Sequence, residues 1–134
     1  MMQNRLAALA LLCLAVPAAA DTAAPTPPPR PNARGGMFPM QDGKAIYEGV
    51  CQGCHMPSAK GAVGAGMYPA LAGDPKLEEA GYPLSIIING QKAMPPLGPY
   101  FNDNQVAAVV NYIRTHFGNH YTDKVTADEV KVMR

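Results

Sequence analysis

Apolar residues recur at helical spacing most clearly between residues 103 and 117. The apolar face of this segment consists of Val106, Val109, Val110, Ile113 and Phe117. Asn102 and Gln105 fit the capping pattern of a helix start, and Gly118 fits a helix end. Because alanine and polar residues occupy the other positions, the pattern predicts an amphipathic helix over residues 103–117 with one buried face.

Three shorter segments also carry helical patterns. Residues 42–51 place Ile46, Tyr47 and Val50 on one face, and residues 82–89 end at an Asn-Gly pair. The third segment follows Thr126 and repeats the capping pattern of the long helix. No segment alternates apolar and polar residues convincingly, as a half-buried strand does. The sequence therefore predicts an all-α fold of about four to five short helices.

Two loops rich in glycine and proline separate these helices. Residues 58–75 contain four glycines and two prolines, which predict an irregular loop. Residues 91–100, with the sequence QKAMPPLGPY, contain three prolines, which exclude both a helix and a central strand. This second loop is therefore predicted to be stiff and to hold Met94 in a fixed position.

The first 36 residues differ in composition from the rest of the chain. A basic residue precedes an eleven-residue apolar run, and alanines at positions 18 and 20 fit a cleavage site, so residues 1–20 are predicted to be a signal peptide. The run is shorter than the roughly 20 residues that span a bilayer. Residues 21–36 carry five prolines and predict an extended linker. We expect an exported protein, soluble after signal cleavage, with its folded domain at residues 37–134.

Removal of the signal peptide changes the charge and the cysteine content. The whole chain has 11 Lys and Arg residues and 10 Asp and Glu residues, and the loss of Arg5 leaves ten of each. A protein with zero formal charge lacks the basic surface that nucleic acids select, so we expect no nucleic-acid partner. The loss of Cys13 leaves Cys51 and Cys54 as the two cysteines of the mature chain.

The sequence CQGCH at residues 51–55 places a histidine directly after this cysteine pair. Zinc would require four ligands, usually from two such pairs, and the sequence has no second pair. A redox dithiol of the thioredoxin type requires a βαβ setting that the helical pattern does not offer. A structural disulfide leaves the histidine unexplained. Covalent haem attachment accounts for all three residues, because the cysteines add to the porphyrin vinyl groups and the histidine then faces the iron.

With these residues the chain resembles the class I monohaem cytochromes c over residues 42–134. Gly43 and Tyr47 precede the motif as the family's small residue and aromatic residue do, and Val109 and Tyr112 resemble their counterparts on the terminal helix. The stretches YPALAG and KAMPPLG resemble the family's haem-side loop and its second-ligand loop. The resemblance implies a small cytochrome c fold whose helices wrap around one covalently attached c-type haem.

The resemblance also implies roles for five residues. Cys51 and Cys54 would attach the haem covalently, and His55 and Met94 would be the two axial iron ligands. The carbonyl of Pro69 would accept a hydrogen bond from His55.

Two histidines near the end of the long helix offer another ligand set. His116 or His120 in place of the methionine would give an iron with two histidine ligands. We interpret both residues instead as solvated histidines at a helix end, whereas Met94 combines distance from the motif with a stiff loop.

Two filled axial positions imply an electron carrier. A haem with histidine and methionine ligands has no open site for substrate or oxygen, so its iron exchanges single electrons. A finer resemblance, to haem domains that serve periplasmic dehydrogenases, implies a quinoprotein, flavoprotein or molybdenum dehydrogenase as donor and a terminal oxidase or another cytochrome as acceptor. We therefore expect a non-enzymatic carrier of the periplasm, without membrane insertion. The alternatives are a tightly bound haem subunit of a dehydrogenase complex and a gas-binding or peroxidatic haem protein.

Overall fold

The computed structural model describes residues 37–64 and 66–134, so the predicted signal peptide and the linker at residues 21–36 lie outside the described residues. The helical elements are α1 (Gly43–Ile46), a π-helical turn (Tyr47–Cys51), α2 (Gln52–His55), a 3-10 turn (Pro75–Leu77), α3 (Gly81–Asn89), α4 (Asp103–Thr115) and α5 (Ala127–Val132). In the described ranges, no helix combines the length and the apolar character needed to cross a bilayer.

Both predicted capping patterns are confirmed. The side chain of Asn102 accepts a hydrogen bond from the backbone N–H of Gln105, whose own side chain accepts from the N–H of Asn102. Thr126 and Glu129 make the same reciprocal pair at the start of α5. Each pair satisfies N–H groups that have no partner inside the helix, which is why these two helices begin where the sequence predicts.

The structure corrects two boundaries of the predicted helices. The long helix ends at Thr115 rather than at Phe117, because the backbone of His116 is extended and Phe117 has a φ of 58°. The carbonyl of Phe117 instead accepts a hydrogen bond of 3.1 Å from the backbone N–H of Gly73, in the glycine-rich loop. The first helical run continues through α2 to His55, four residues beyond its predicted end.

The predicted loop at residues 58–75 contains a small antiparallel pair of strands, β1 (Ala62–Val63) and β2 (Met67–Tyr68). Each strand has two residues, which is too short for an alternating pattern to be visible in the sequence. The pair leaves Val63 88% exposed and Met67 77% exposed, so it adds nothing to the core. The architecture is that of a small helical protein, as the sequence predicts.

The core forms where α1 crosses α4. A Cβ atom at Gly43 would overlap the carbonyl oxygen of Ala108 and lie 2.6 Å from the Cβ of Tyr112, so only glycine permits this approach. The crossing buries Ile46 and Tyr47 against the apolar face of α4. The most deeply buried apolar residues of α4 are Val106, Val109, Val110 and Ile113, as predicted.

The side chain of Arg114 is fully buried at the far end of α4. Its Nε donates to the carbonyl of Leu77 at 2.8 Å, and Nη2 donates to the carbonyl of Glu78 at 2.7 Å. The same guanidinium donates to the backbone carbonyl and to both carboxylate oxygens of Asp123. Arg114 therefore joins α4 to the 3-10 turn and to the segment that leads into α5.

We expect Arg114→Met to lower the free energy of unfolding by about 2–4 kcal/mol, because the carbonyl groups of Leu77 and Glu78 lose their hydrogen-bond donor. Urea denaturation followed by circular dichroism measures this change. Arg114→Lys should recover only part of the loss, since one ammonium group cannot reach all of the acceptors that the guanidinium fork reaches.

Asp123→Asn is the matched control, because this carboxylate is 73% exposed and its ion pair is screened by solvent. Hydrogen bonding to Arg114 holds the pKa of Asp123 below its ordinary value. The ion pair therefore contributes at neutral pH, and the contribution disappears as the pH falls through this lowered pKa. Equal losses at neutral pH for Arg114→Met and Asp123→Asn would contradict the importance of the hydrogen bonds to the Leu77 and Glu78 carbonyls.

Candidate haem site

The first helical run carries the CQGCH motif at its end. The carboxylate of Asp42 accepts a hydrogen bond from the backbone N–H of Ala45 and starts the run. The π-helical turn follows, in which the N–H of Gln52 donates to the carbonyl of Tyr47, five residues earlier. Cys51 is the last residue of this turn, and Cys54 and His55 lie on α2.

Neither Cys51 nor Cys54 forms a disulfide. Cys51 is partly buried and Cys54 is exposed, and burial raises the pKa of Cys51 to about 12. Cys51 is therefore a neutral thiol at pH 7, whereas the attacking cysteine of a redox dithiol has a lowered pKa. Among the described residues, no three His, Cys, Asp or Glu side chains are grouped as a metal ion would require.

A backbone carbonyl from the glycine-rich loop contacts the histidine of the motif. Nδ1 of His55 lies 3.0 Å from the carbonyl oxygen of Pro69. When Nδ1 carries the proton it donates to this oxygen, and Nε2 is then free to bind a metal ion. The backbone carbonyl of His55 accepts a hydrogen bond of 3.1 Å from the N–H of Gly61. His55 is therefore contacted through both its ring and its backbone.

Glycine at position 61 permits this arrangement. Gly61 has a φ of 66°, and a Cβ atom there would overlap the carbonyl oxygen of Tyr68 and lie 2.8 Å from the carbonyl carbon of Pro69. The turn after the motif can therefore lie directly against the segment that carries the Pro69 carbonyl. A side chain at position 61 would push this segment away from His55.

Met94 lies half-buried on the proline-rich loop, where it packs against the hydrophobic core. Its backbone N–H and carbonyl pair with Gln91 at 2.9 Å and 3.0 Å. The N–H of Leu97 donates to Ile87 at 2.8 Å and that of Gly98 donates to Ile88 at 3.2 Å. Backbone hydrogen bonds thus tie the loop to α3 just after Met94.

The two other histidines considered as ligands lie at the end of α4. Nδ1 of His116 lies 2.9 Å from the carbonyl of Tyr112, and the two rings stack with centroids 4.1 Å apart. Both His116 and His120 are exposed. The His116 ring therefore contacts Tyr112 of α4.

The sequence did not predict the polar contact that Tyr47 makes. Tyr47 is 1% exposed and packs against Tyr112 and Phe117, in line with its predicted role in the core. Its hydroxyl also donates to the carbonyl of Met56 at 2.7 Å, directly after the motif. The one available signal was a hydroxyl group on an otherwise apolar helix face.

The residues of the motif fit a covalently attached haem. Two free thiols three positions apart can form thioether bonds, and the hydrogen bond at Nδ1 of His55 leaves Nε2 for the iron. A thioether side chain is available on a separate loop that backbone hydrogen bonds hold in place. On a small helical fold, these groups define the class of c-type cytochromes.

Comparison with known proteins agrees with this class. Residues 38–113 match the family described as cytochrome c oxidase, cbb3-type, subunit III, a family of class I c-type cytochrome domains. The match covers more than half of the chain, which therefore belongs to this family. One covalent haem c is its cofactor, in keeping with the single CxxCH motif at residues 51–55.

Two curated relatives are cytochrome subunits of dehydrogenases. The chain is 35% identical over 108 residues to the fructose dehydrogenase cytochrome subunit of Gluconobacter japonicus, covering 69% of this chain and 22% of the relative. It is 33% identical over 109 residues to the gluconate 2-dehydrogenase cytochrome c subunit of Pantoea cypripedii, covering 70% and 24%. The chain thus spans less than a quarter of the length of either relative.

Among solved structures, the chain is similar to cytochrome cL from the marine methylotrophic bacterium Methylophaga aminisulfidivorans. The sequence identity is 21% and the TM-score is 0.47, and the match covers 66% of this chain and 61% of the cytochrome.

We expect Gly61→Ala to raise the reduction potential of the haem-loaded protein. The added methyl group would displace Pro69 and weaken its hydrogen bond to His55, which makes the imidazole less basic and stabilises Fe(III) less. Potentiometric titration followed by visible absorption measures the shift.

Gly64→Ala is the matched control in the same loop, because a Cβ atom there meets nothing within 4 Å. Its potential should equal that of the unmodified protein. An unchanged potential in Gly61→Ala, with haem attached, would argue against a role for the Pro69 carbonyl.

Proposed function

We propose that this chain is a periplasmic single-electron carrier that accepts electrons from a dehydrogenase and passes them to the respiratory chain. The observation that supports this most directly is the contact between His55 and the Pro69 carbonyl, in a chain that also carries Met94 on a tied loop. His55 and Met94 would supply both iron ligands from the protein itself. An iron with both positions filled has no site for a substrate.

Each proposed ligand has a separate task in this reaction. The bound haem supplies a one-electron couple between Fe(II) and Fe(III). Cys51 and Cys54 would hold it by thioether bonds, and His55 would bind the iron, with an orientation and basicity that depend on Pro69. Met94 contributes a soft thioether, which favours Fe(II) and raises the reduction potential. Electron transfer then requires no bond to form or break in the protein.

The relatives support a dehydrogenase as the electron donor. Both are cytochrome subunits, one of a fructose dehydrogenase and one of a gluconate 2-dehydrogenase. We propose that the donor is a periplasmic dehydrogenase of quinoprotein, flavoprotein or molybdenum type, and that a terminal oxidase or another cytochrome is the acceptor. The signal peptide predicted for residues 1–20 supports the periplasmic location. The chain itself would not be an enzyme.

The same relatives support a second candidate function, a tightly bound haem subunit of a dehydrogenase complex. Size-exclusion chromatography of an extract from the native cells separates the two functions. Haem absorbance from this chain that elutes with sugar or alcohol dehydrogenase activity would indicate a bound subunit. Elution at the mass of the chain alone would indicate a free carrier.

The Met94→Ala variant tests the carrier function against a gas-binding or peroxidatic one. We expect the oxidised protein to show the weak near-infrared band of a methionine sulfur bound to Fe(III), and Met94→Ala to abolish this band. The reduced variant should bind carbon monoxide, because one axial position is then open. Optical spectra of both oxidation states provide the measurement.

Met67→Ala is the matched control, because Met67 is 77% exposed on the β1–β2 pair and its loss should leave the band intact. If the unmodified protein lacks the band and binds carbon monoxide readily, the iron is open and the carrier function is wrong.

Electron transfer to the partner should depend only weakly on ionic strength. Residues 21–134 have ten basic and ten acidic side chains, so the chain has no net field with which to steer a charged partner. Stopped-flow mixing with the partner over a range of salt concentrations measures the rate, and Lys92→Gln should leave it nearly unchanged. A steep fall in the rate with added salt would instead implicate exposed lysines such as Lys60 and Lys92 in docking.

A further inference from the structure

Met56, the residue directly after His55, has a backbone conformation that a methionine rarely adopts. It ends α2 with a φ of 66° and a ψ of 157°. A Cβ atom is unfavourable in this region, which is populated almost entirely by glycine. A side chain at this position therefore strains the backbone, and such strain persists only where neighbouring groups hold the conformation.

Three hydrogen bonds hold the backbone of Met56. Its N–H donates to the carbonyl of Gln52 at 2.9 Å, and its own carbonyl accepts from the N–H of Ala59 at 3.0 Å. The Tyr47 hydroxyl donates to the same carbonyl at 2.7 Å. The bonds to Gln52 and Ala59 are local backbone contacts, whereas the bond from Tyr47 comes from a side chain nine residues earlier.

Tyr47 is well placed to fix the Met56 carbonyl. Its ring is 1% exposed and packs against the aromatic rings of Phe117 and Tyr112, with centroid distances of 4.8 Å and 5.8 Å. The hydroxyl therefore has little freedom to move. Burial also raises the pKa of Tyr47 to about 12, so the phenol remains a neutral donor across the physiological range.

The backbone conformation of Met56 sets the direction in which the chain continues after His55. The chain leaves α2 at Met56 and turns so that the N–H of Gly61 reaches the carbonyl of His55 at 3.1 Å. The ring of His55 also contacts the carbonyl of Pro69. A change in the backbone at Met56 would therefore move the turn at Gly61 and loosen the contact with Pro69.

We propose that Tyr47 is a positioning residue for the haem ligand His55. The Tyr47 hydroxyl holds Met56, the residue after His55, in a backbone conformation that methionine does not adopt without support. This inference rests on His55 as the proximal ligand, which is part of the proposed function. Tyr47 acts through the Met56 carbonyl and is not proposed as an iron ligand.

Tyr47→Phe tests this role, since it keeps the ring and its packing and removes one hydrogen bond. In the reduced haem-loaded protein, amide hydrogen exchange at Ala59 and Gly61, measured by NMR, should become about three to ten times faster, as expected for the loss of one hydrogen bond. The reduction potential should rise, because His55 is held less firmly against Pro69.

A second substitution separates positioning from simple packing. Met56→Gly in the Tyr47→Phe background should return both the exchange rates and the potential toward their original values, because glycine adopts this conformation without support. Tyr112→Phe is the control, since this tyrosine also packs in the aromatic cluster and its hydroxyl makes no hydrogen bond within residues 37–64 and 66–134. It should change neither measurement.

Persistence of the Tyr47→Phe effects in the double variant would overturn the proposal, since the tyrosine would then act through packing alone. Unchanged exchange at Ala59 and Gly61 in Tyr47→Phe would also overturn it. The proposed function fails by a different measurement, namely loss of the near-infrared methionine band from the unmodified protein. The exchange rates at Ala59 and Gly61 can be compared whatever the result for that band.

Discussion

The close crossing of α1 and α4 at Gly43 is the contact on which the rest of the structure depends. The backbone of α1 can approach Ala108 and Tyr112 only because position 43 has no side chain. This approach places Ile46 and Tyr47 in the core, and the same helical run then continues into the motif. The residues of α2 are not buried and contribute little to the core themselves. The position of α2 is therefore set by α1, which precedes it in the same helical run.

Main-chain groups, more than side chains, shape the surroundings of His55. Its ring contacts the Pro69 carbonyl, its own carbonyl accepts from the N–H of Gly61, and the Met56 carbonyl next to it accepts two hydrogen bonds. Carbonyl and N–H groups are present whatever the side chain. Substitutions can therefore disturb this region chiefly by changing the backbone conformation, as glycine-to-alanine changes do.

Local signals in the sequence predicted much of the fold. The helix starts at Asn102 and Thr126 were predictable because a capping box involves residues only three positions apart. The apolar face of α4 was predictable from its period. The end of α4 was not, because Phe117 turns toward Gly73, and contacts between such distant residues leave no local pattern.

The candidate site was predictable to a different degree at each residue. The CQGCH motif identified Cys51, Cys54 and His55 by their spacing, and the resemblance to cytochromes c indicated Pro69 and Met94. The buried network of Arg114 and the hydrogen bond from Tyr47 to Met56 were missed. Arginine is usually exposed, and tyrosine can pack in a core by its ring alone. Neither residue type therefore predicts a buried hydrogen bond from the sequence.

The backbone ties of the proline-rich loop have a consequence for electron transfer. Hydrogen bonds join Leu97 and Gly98 to α3, and Arg134 donates to the carbonyls of Gly98 and Phe101 at 2.7 Å. If Met94 binds the iron as proposed, a loop held in this way would keep its sulfur in nearly the same position in both oxidation states of the iron. The nuclear rearrangement that accompanies each electron would then be small, and a low reorganisation energy would favour electron transfer to a partner that does not contact the haem.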